Sequence, residues 1–546
     1  MYQVLYKMQI NKYPFSTKLF AMLLLITFAC KDNSKSKTVQ IVNIAQNEEQ
    51  LYRPNFHFTP KANWMNDPNG MFYLNGKYHL YFQYYPEDNV WGPMHWGHAT
   101  SEDLVTWKEQ PIALYPDSLG YIFSGSAVVD VNNTTGFAKD GKAPVVAIFT
   151  YHDPEGEKAG NIDFQSQAIA YSLDEGQTWE KYSGNPVIPN PNIKDFRDPK
   201  VIWDEEHQQW LMALATYEKN LFYTSKDLKD WKLLSDFGDG IGAHGGVWEC
   251  PDFFPIKVEG TDKTKWVLLQ SLNPGHINGG SGTQYFIGDF DGTHFTLDQE
   301  FERQLKNNEA IWLDYGRDNY AGVTWSNIPE SDGRKLFMGW MSNWDYAKVV
   351  PTYTWRSSMT IARELKLKKI NGTYVLFSQP VKELDHYKTK VFEKNNIRFK
   401  DEIDIVDSNQ IDINKSVIEI ELSNLNNGIY KFSLENLKGD LVEFGLNNIE
   451  KYFFIDRTKS GDLNFSDKFA DTISKAYFNK QFTNLQIEMV IDKTSLELFF
   501  NNGETVMTEI FFPRAPMNSL KISTENKSET IINSLIVNQL NFDKKL

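Results

Sequence analysis

The sequence of 546 residues has few cysteines and a shortage of basic charge, and each shortage excludes a class of protein. Its 2 cysteines, Cys30 and Cys250, cannot form a disulfide framework or a cysteine-rich zinc site. The net charge of −15 argues against binding to nucleic acid or to an anionic membrane surface, because either partner would repel the protein. No H-E-x-x-H pattern and no cluster of histidine and cysteine occurs, so the sequence predicts no metal site.

The N-terminus has the features of an export signal. Three lysines within residues 7–18 precede an apolar run over residues 19–29, which is too short to span a bilayer. Cys30 follows directly and resembles the cysteine of a bacterial lipobox, which is acylated and becomes the mature N-terminus. Thr27 stands where a lipobox usually has leucine, and the alternative is an ordinary cleaved signal with an incidental cysteine.

We therefore predict a lipoprotein-type signal peptide over residues 1–30 and a flexible tether over residues 31–50. The tether is polar and has no periodicity. Its first two residues, Lys31 and Asp32, resemble a sorting signal of surface-exposed lipoproteins. The expected location is the cell envelope, at the surface of the outer membrane, with the lipid anchor as the only contact with the membrane.

A turn of the form Ser-x-Asp, followed by tryptophan, recurs after β-rich runs. It reads SEDLVTW at 101–107, SLDEGQTW at 172–179 and SKDLKDW at 225–231. Repeated β units some tens of residues apart predict a propeller of four-stranded blades. We expect these turns to close blades rather than to bind sugar; the alternative is three unrelated turns of similar composition.

From about Lys382 the composition changes, because tryptophan disappears while asparagine, lysine and isoleucine become more frequent. Segments such as IEIELS and LQIEMVI alternate apolar and polar residues, which is typical of sandwich strands. No long stretch has a helical period. The sequence thus predicts an all-β protein, with a propeller over residues 51–365 and a β-sandwich over residues 382–546.

Three short acidic motifs have the residue types that sugar chemistry requires. They are WMNDPNG (64–70), FRDPK (196–200) and WECPD (248–252). Glycosidic cleavage needs one ionised and one protonated carboxyl group, and crowded acids acquire different pKa values. We expect Asn66, Asn69 and turn amides to keep Asp67 ionised. We expect Trp248 and its apolar neighbours to favour the protonated form of Glu249.

In this order and spacing, the motifs resemble those of glycoside hydrolase family 32, which contains invertases, inulinases and levanases. Further matching blocks are FQYYP (82–86), WGHATSEDLVTW (96–107), FSGSAVV (123–129), GGSGTQYFIGDFDG (279–292), DNYAGVTWSN (318–327), GWMSNW (339–344), DRTKSGD (456–462) and DKTSLELFFNNGE (492–504). The resemblance covers nearly all of the chain after residue 53. It implies a five-bladed propeller followed by a C-terminal β-sandwich, a retaining mechanism through a covalent fructosyl-enzyme, and no metal or organic cofactor.

The resemblance also implies roles for individual residues. Asp67 is expected to be the nucleophile, Glu249 the acid/base, and Asp198 a third acid that binds fructose hydroxyls. Arg197 would orient Asp198, unless the two form only a structural salt bridge. The positions that match the fructose pocket are Asn66, Gln83, Trp91, Phe123, Ser124 and Trp340. Trp344 is the weaker alternative to Trp340, and Ser124 is also explicable as packing.

Cys250 and two histidines near the motifs have structural interpretations. Cys250, beside the acid, is expected to be a compact buried neighbour. His95 and His98 have the spacing of metal ligands, but hydrogen-bonded structure is the preferred interpretation. The two catalytic carboxyl groups are expected about 5 Å apart, the separation of a retaining enzyme.

We therefore expect a hydrolase that removes fructose from the ends of levan or inulin chains, with sucrose as a lesser substrate. An endo-levanase and a fructosyltransferase on the same scaffold stay open as alternatives. So does a non-catalytic, surface-tethered fructan-binding protein, although all three acids are present. The sequence predicts neither the preferred linkage nor the oligomeric state.

Overall fold

The computed structural model describes residues 51–407, 411–525 and 528–543. Cys30 and the predicted signal peptide and tether therefore lie outside the described residues. Between residue 52 and the end of the described ranges, helix is limited to Pro154–Lys158 and Gln299–Asn308, together with the 3₁₀ turns Lys382–Tyr387 and Ile413–Lys415. In the same ranges, no helix has the length and apolar character needed to cross a lipid bilayer.

Five antiparallel sheets follow one another along the first two thirds of the chain, and we call them blades 1 to 5. Blade 1 contains Asn63–Leu74, Lys77–Tyr85, His95–Ser101 and Lys108–Leu114. Blade 2 contains Tyr121–Val129, Val145–His152, Gln165–Ser172 and Glu180–Lys181. Blade 3 contains Arg197–Asp204, Gln209–Ala215, Asn220–Ser225 and Trp231–Phe237. Blade 4 contains Val247–Lys257, Thr264–Asn273, Gly282–Phe290 and Phe295–Leu297.

Blade 5 contains Tyr320–Thr324, Lys335–Met341, Ser358–Met359, Arg363–Ile370 and Thr373–Pro380. Its last two strands continue the sheet beyond residue 365, where the sequence predicted the end of the propeller. The short strand Trp355–Arg356 pairs in parallel with the first strand of blade 1. It therefore ties the end of the propeller to its beginning.

The first strands of the blades contact one another in ring order. Each packs against the first strand of the next blade, and the first strand of blade 5 packs against that of blade 1. A backbone bridge between Phe72 and Ser326 joins blade 1 to blade 5. The fold is a five-bladed β-propeller followed by a β-sandwich, as predicted, and the first strand of every blade faces the central axis.

Residue types explain why these segments form strands inside a propeller. The second strand of blade 2, VVAIFTYH, is buried at every position, because blades pack on both of its faces. β-Branched and aromatic side chains fill such two-sided surfaces well. Sandwich strands such as IYKFSLE instead alternate between buried and half-buried residues, because they have only one inner face.

The repeated Ser-x-Asp turns join the third and fourth strands of blades 1, 2 and 3, in agreement with the predicted blade-closing role. In the first, the Ser101 hydroxyl accepts the amide of Leu104, and Asp103 accepts the amides of Val105 and Thr106. Side-chain oxygens thus satisfy the backbone donors of the turn, which favours this local structure.

The sandwich consists of two six-stranded sheets. The first contains, in sheet order, Lys388–Phe399, Thr530–Leu540, Ser416–Ser423, Asn484–Ile491, Ser495–Phe500 and Thr505–Ile510. The second contains Glu402–Asp407, Ser519–Thr524, Ile429–Glu435, Leu441–Asn447, Tyr452–Lys459 and Ser474–Tyr477. Apolar side chains from both sheets form one core between them.

Candidate active site

The first strand of every blade has an irregularity in register where the predicted site residues lie. These breaks occur after Met65 in blade 1, after Ile122 in blade 2, at 198–199 in blade 3, after Glu249 in blade 4 and after Tyr320 in blade 5. A β-bulge bends its strand and redirects the side chains beside it. The five irregularities therefore present their neighbouring side chains at one end of the axis.

Backbone conformation supports this placement. Asp198, Cys250 and Ala321 have φ values of 63°, 45° and 52°, in the left-handed region that non-glycine residues seldom adopt. They occupy equivalent places, inside the irregularities of blades 3, 4 and 5. Residues in such conformations concentrate at functional sites, because the surrounding structure must hold them there.

Asp67 is held by donors from two blades. Asn66 Nδ2 donates to Asp67 Oδ1 at 3.0 Å, and Ser124 Oγ donates to Asp67 Oδ2 at 2.7 Å. The Trp64 indole donates to Asn66 Oδ1 at 2.7 Å, which fixes the orientation of the amide. Both oxygens of Asp67 are thus oriented, and Ser124 bonds the acid rather than merely filling space.

Two opposite influences act on the ionisation of Asp67, and its ionised state stays a prediction. Burial raises the pKa of Asp67, and the hydrogen bonds from Asn66 and Ser124 oppose that rise only in part. Asn69 does not contribute, since its amide donates to Pro68 O and its oxygen accepts from Gln83 Nε2. An acid whose ionised form is disfavoured by burial is a more basic carboxylate than an exposed one.

Glu249 is held by two donors on neighbouring blades. Arg197 Nη2 lies 2.8 Å from Glu249 Oε1, and the Tyr320 hydroxyl donates to Glu249 Oε2 in a short hydrogen bond. Trp248 and Glu249 lie on opposite faces of their strand, because successive side chains alternate, and the predicted influence of Trp248 on Glu249 stays a prediction. The Trp248 indole points into the core of blade 4, where it donates to Ala243 O.

Asp198 accepts the backbone amide of Cys250 at 3.0 Å. Arg197 orients it less than expected, because the guanidinium Nε lies 3.9 Å from Asp198 Oδ2 and binds Asp195 and Glu249 more closely. Burial raises the pKa of Asp198 to about 7; Arg197 opposes the rise, and the nearby carboxylates of Glu249 and Asp67 add to it. Its carboxyl group therefore titrates near neutral pH.

Cys250 joins two of the acids. Its thiol Sγ lies 3.5 Å from Asp67 Oδ2 and 3.6 Å from Asp198 Oδ2. Burial, reinforced by the nearby acids, raises the pKa of the thiol well above its usual range, so it stays protonated as a donor. The residue is buried, as expected, and in addition it bridges carboxyl groups from blades 1 and 3.

Aromatic side chains form part of the rim. Trp91 and Phe123 are half-buried, with ring centroids 6.0 Å apart. The Lys348 ammonium lies 5.9 Å from the Trp91 ring and 5.7 Å from the Trp344 ring, and so joins the two sides of the rim. We call Trp91, Phe123, Trp344 and Lys348 the aromatic rim.

The structure reverses the predicted order of Trp340 and Trp344. Trp340 is 0% exposed and is packed between Trp64, Tyr320 and Trp344. It lies within a central strand, whereas Trp344 follows the end of that strand and is partly exposed. Trp344 is therefore the residue of the pair that a ligand can reach.

Gln83 lies beneath the site and holds Asn69 rather than an acid. Tyr320 was not predicted from the sequence, although a signal for it exists. It directly precedes the irregularity in the first strand of blade 5, the position that Glu249 occupies in blade 4. Applying the blade repeat to the matching block DNYAGVTWSN would have found it.

The histidines with metal-ligand spacing have structural partners. His98 Nε2 lies 3.1 Å from His79 Nδ1, and His95 Nδ1 lies 2.9 Å from Pro93 O. Burial lowers the pKa of His79 to about 4 and that of His98 to about 3, so both are neutral near neutral pH. Among the residues that the structure describes, no group of three or more His, Cys, Asp or Glu side chains is placed to hold a metal ion.

The site thus gathers three carboxyl groups, a guanidinium, a phenol and a thiol at one end of the propeller axis. Asp67 and Glu249 have different environments, as general acid and nucleophilic roles require. The expected separation of about 5 Å between their carboxyl groups stays a prediction.

Comparisons with known proteins agree with this architecture. Residues 57–380 match the glycosyl hydrolases family 32 N-terminal domain, and residues 383–539 match the family 32 C-terminal domain. The chain is 46% identical over 480 residues to a levanase of Bacillus subtilis, covering 88% of this chain and 69% of that protein. It is 40% identical over 516 residues to an extracellular exo-inulinase of Aspergillus niger, covering 89% of this chain and 94% of that protein. A crystal structure of exo-inulinase from Aspergillus awamori superposes with a TM-score of 0.79 at 35% identity, covering 90% of this chain and 99% of that one.

Proposed function

The chain belongs to glycosyl hydrolases family 32, and from that premise we propose that it is an exo-acting β-fructosidase whose chemistry is carried by Asp67 and Glu249. The observation that carries the proposal is the pair of environments at the axis. Asp67 is oriented by Asn66 and Ser124, while Glu249 is held between Arg197 and Tyr320. Two carboxyl groups with separate partners are what double displacement at a sugar requires.

In the first step, an Asp67 oxygen attacks the anomeric carbon of a terminal fructosyl unit. The bond from that carbon to the leaving oxygen breaks, and the leaving oxygen takes the proton of Glu249. The raised pKa of Asp67 favours bond formation, because a more basic carboxylate is the better nucleophile. Asp198 would bind fructose hydroxyls, since its buried carboxyl group lies beside Asp67 through the thiol of Cys250.

In the second step, water attacks the same carbon from the face that the leaving group vacated. Glu249, now a carboxylate, accepts a proton from that water, and the bond to Asp67 breaks. Arg197 and Tyr320 hold the Glu249 carboxylate for this proton uptake. The anomeric configuration is retained, because two inversions occur.

The relatives are a levanase and exo-inulinases, and this supports fructans as the substrate class. The chain is a β-fructosidase, and we assign levan or inulin as its main substrate and sucrose as a lesser one. The aromatic rim supports recognition of a sugar chain, because indole and phenyl faces stack on the apolar faces of sugar rings.

The test is the product profile of the purified protein on levan, inulin and sucrose, resolved by chromatography. Fructose alone is the expected product. A ladder of oligosaccharides would indicate endo-hydrolysis, and longer oligosaccharides would indicate transfer to sugar. The absence of any product would indicate a binding protein and overturn the proposal.

The matched variant for this assay is Asp67→Asn. We expect it to lose activity by roughly 10⁴-fold or more, because the covalent step has no nucleophile. Its fold should be unchanged, since an amide fills the same volume. Activity close to that of the wild type would remove Asp67 as the nucleophile.

We also propose that the protein is exported and anchored by acylation of Cys30, at the surface of the outer membrane. The apolar run before Cys30 and the polar stretch after it support this location. The extracellular relatives support export in general. Labelling with a palmitate analogue should mark the wild type and leave Cys30→Ser unlabelled. Protease added to whole cells should then degrade the labelled protein. Protection of the labelled protein from protease would contradict its exposure at the cell surface.

A further inference from the structure

The outer face of the second sandwich sheet carries a row of aromatic side chains, which we call the sandwich platform. Tyr452 and Tyr477 are paired across neighbouring strands, with ring centroids 5.6 Å apart and an interplanar angle of 71°. Phe454 follows Tyr452 on the same face, at 6.2 Å. Tyr477 is 58% exposed. Tyr452 is half-buried and Phe454 is 9% exposed, so Tyr477 is the ring that this face presents most fully to water. The water-facing side of a sandwich is usually polar, which makes an exposed aromatic side chain there unusual.

Polar groups fix the platform in place. The Lys475 ammonium lies 4.4 Å from the Tyr452 ring centroid, and Asn447 Nδ2 donates to the Tyr452 hydroxyl at 3.0 Å. Gly445, opposite Phe454 on the next strand, contributes no side chain above the rings. The flat apolar ring faces allow stacking, and the Lys475 ammonium beside them adds a hydrogen-bond donor; a neutral sugar chain binds to both kinds of group.

A single loop connects the platform with the catalytic pocket. Asn278 holds the backbone of Lys475 at both ends, accepting from its N–H at 3.0 Å and donating to its C=O at 3.0 Å. Three residues further on, Ser281 Oγ accepts the amide of Trp344 at 3.2 Å. The loop over residues 274–281 therefore runs from the aromatic rim to the edge of the platform.

Neither sheet stability nor dimerisation accounts fully for the row. Cross-strand aromatic pairs stabilise sheets, and this accounts for Tyr452 and Phe454 but not for the exposure of Tyr477. Pairing of the edge strand Ser474–Tyr477 with a second copy of the chain is hindered, because Asn278 already occupies the outward N–H and C=O of Lys475.

We propose that the sandwich platform binds the part of a β-fructan chain that extends away from the catalytic pocket. The inference rests on the proposed function, because it requires a polymeric substrate whose end occupies the pocket. A chain that leaves the aromatic rim along loop 274–281 reaches Tyr477 and Tyr452, whose rings stack on its sugar units. The platform thereby raises the local concentration of chain ends and gives the sandwich a role in substrate recognition.

The experiment compares Tyr452→Ser/Tyr477→Ser with Tyr452→Phe/Tyr477→Phe on levan and on the trisaccharide 1-kestose, which we expect to occupy the catalytic pocket alone. For the serine pair we expect KM on levan to rise roughly tenfold, the effect of losing about 1.4 kcal/mol of binding. Its kcat on levan and both constants on 1-kestose should be unchanged. The phenylalanine pair should behave as the wild type, because stacking needs the ring and not the hydroxyl.

The matched control is Leu437→Ser, which removes another exposed apolar side chain, 90% exposed, from a turn of the same sheet. It should leave the KM on levan unchanged. An unchanged KM on levan in the serine pair would overturn the proposal. So would an equal loss on 1-kestose, which would indicate a purely structural role. A wild type that dimerises by light scattering, with a monomeric serine pair, would assign the platform to a second copy and also overturn it.

A failure of the proposed function can be distinguished from a failure of the platform proposal. If the wild type releases no fructose from levan, binding is measured by electrophoresis in gels that contain levan, with the serine pair beside the wild type. If levan in the gel retards the wild type but not the serine pair, the platform binds levan even though the protein does not cleave it. Equal mobility of the two proteins would reject the platform proposal.

Discussion

At the scale of single residues, the role proposed for Glu249 requires one carboxyl group both to give and to take a proton. Arg197 and Tyr320 hold its two oxygens from blades 3 and 5, so the group keeps its position in both protonation states. The Tyr320 phenol remains a donor, because burial and the nearby Glu249 raise its pKa well above the usual range. These contacts favour a residue that acts twice in one catalytic cycle.

Replacing Glu249 by glutamine removes the proton and keeps the shape. We expect kcat/KM on sucrose or levan to fall by roughly 10²- to 10⁴-fold, the usual contribution of a general acid. The first step with an aryl fructoside should be affected least, because a good leaving group needs little protonation. Steady-state kinetics on both substrates measures the difference, and equal losses would exclude Glu249 as the acid.

The buried Asp198 carboxyl group is predicted to lower the stability of the folded protein at pH values where it would ionise. Its pKa is raised from 3.8 to about 7, so both folded and unfolded forms are protonated below pH 3.8. As pH rises from 3.8 to about 7, the unfolded form ionises first, and stability is lost. Asp198→Asn should therefore be more stable than the wild type at pH 8, by about 2–4 kcal/mol, and not at pH 4.

Thermal unfolding of the variant and of the wild type at pH 4 and pH 8 measures this difference in stability. A separate activity assay should show a large loss of activity in the variant. Ser126→Ala is a suitable control, because its hydroxyl donates to Pro199 O in the same region and does not ionise. Equal stability differences at both pH values would contradict the raised pKa.

At the scale of strands, the sequence predicts the elements well but not their irregularities. Alternation of apolar residues and the Ser-x-Asp turns indicate strands and blade ends, because both are local properties of the chain. The left-handed conformations of Asp198, Cys250 and Ala321 are not local, since packing of five blades around one axis imposes them. Motif matching therefore finds the acids and those partners that lie within matching motifs, such as Ser124 and Arg197, but it missed Tyr320.

The two tryptophans of GWMSNW illustrate the same limit. Both fit an aromatic position of a sugar pocket by residue type. Only the end of the strand at Met341 decides between them, because a central strand of a blade is buried on both faces and a residue beyond its end reaches the rim. A boundary shift of a few residues, which the sequence does not resolve, exchanges a core residue for a residue of the aromatic rim.

Substitution of Gly125 tests whether the position of Ser124 depends on the close packing of the first two strands of blade 2. A Cβ at Gly125 would lie 2.1 Å from Ile148 O and 2.7 Å from Phe149 Cα, both backbone atoms of the neighbouring strand. Gly125→Ala should therefore push the strands apart, lower stability by about 1–3 kcal/mol and weaken the bond from Ser124 to Asp67. We expect lower kcat together with a lower Tm.

The matched control is Gly76→Asn, in the first hairpin of blade 1. Gly76 has a φ of 83° with nothing within 4 Å of an added Cβ, and asparagine tolerates this conformation. It should change neither kcat nor Tm appreciably. A Gly125→Ala variant that behaves like this control would show that blade 2 tolerates displacement of the strand.

At the scale of the whole molecule, buried ion pairs join the propeller to the sandwich. Arg363 of blade 5 binds Asp314 at 3.0 Å and forms a close ion pair with Glu497 of the sandwich. His57, just before blade 1, contacts Asp492 Oδ2 and Glu497 Oε1, each at 2.8 Å. Such contacts specify how two domains dock, because a buried charge left without its partner is costly.

His57 makes this junction sensitive to pH. Burial alone would lower its pKa, but the hydrogen bonds and charges of Asp492 and Glu497 raise it from 6.5 to about 9. Below pH 6.5 both folded and unfolded forms carry the proton, and the stabilisation is complete. As pH rises from 6.5 to about 9, the unfolded form loses its proton first, so about 3 kcal/mol of stability is lost.

His57→Gln should remove this dependence. We expect the variant to be less stable than the wild type by about 3–5 kcal/mol at pH 6, since two buried carboxylates lose a positive partner, and by much less at pH 9.5. Thermal unfolding from pH 6 to pH 9.5 measures how the stability difference between wild type and variant decreases. His207→Gln, whose ring pairs with Asp204 inside blade 3, is the control and should show a smaller loss at pH 6. A gap for His57→Gln that stays constant from pH 6 to 9.5 would mean that the histidine is neutral in the folded protein, and the two domains would then dock through the Arg363 pairs without its charge.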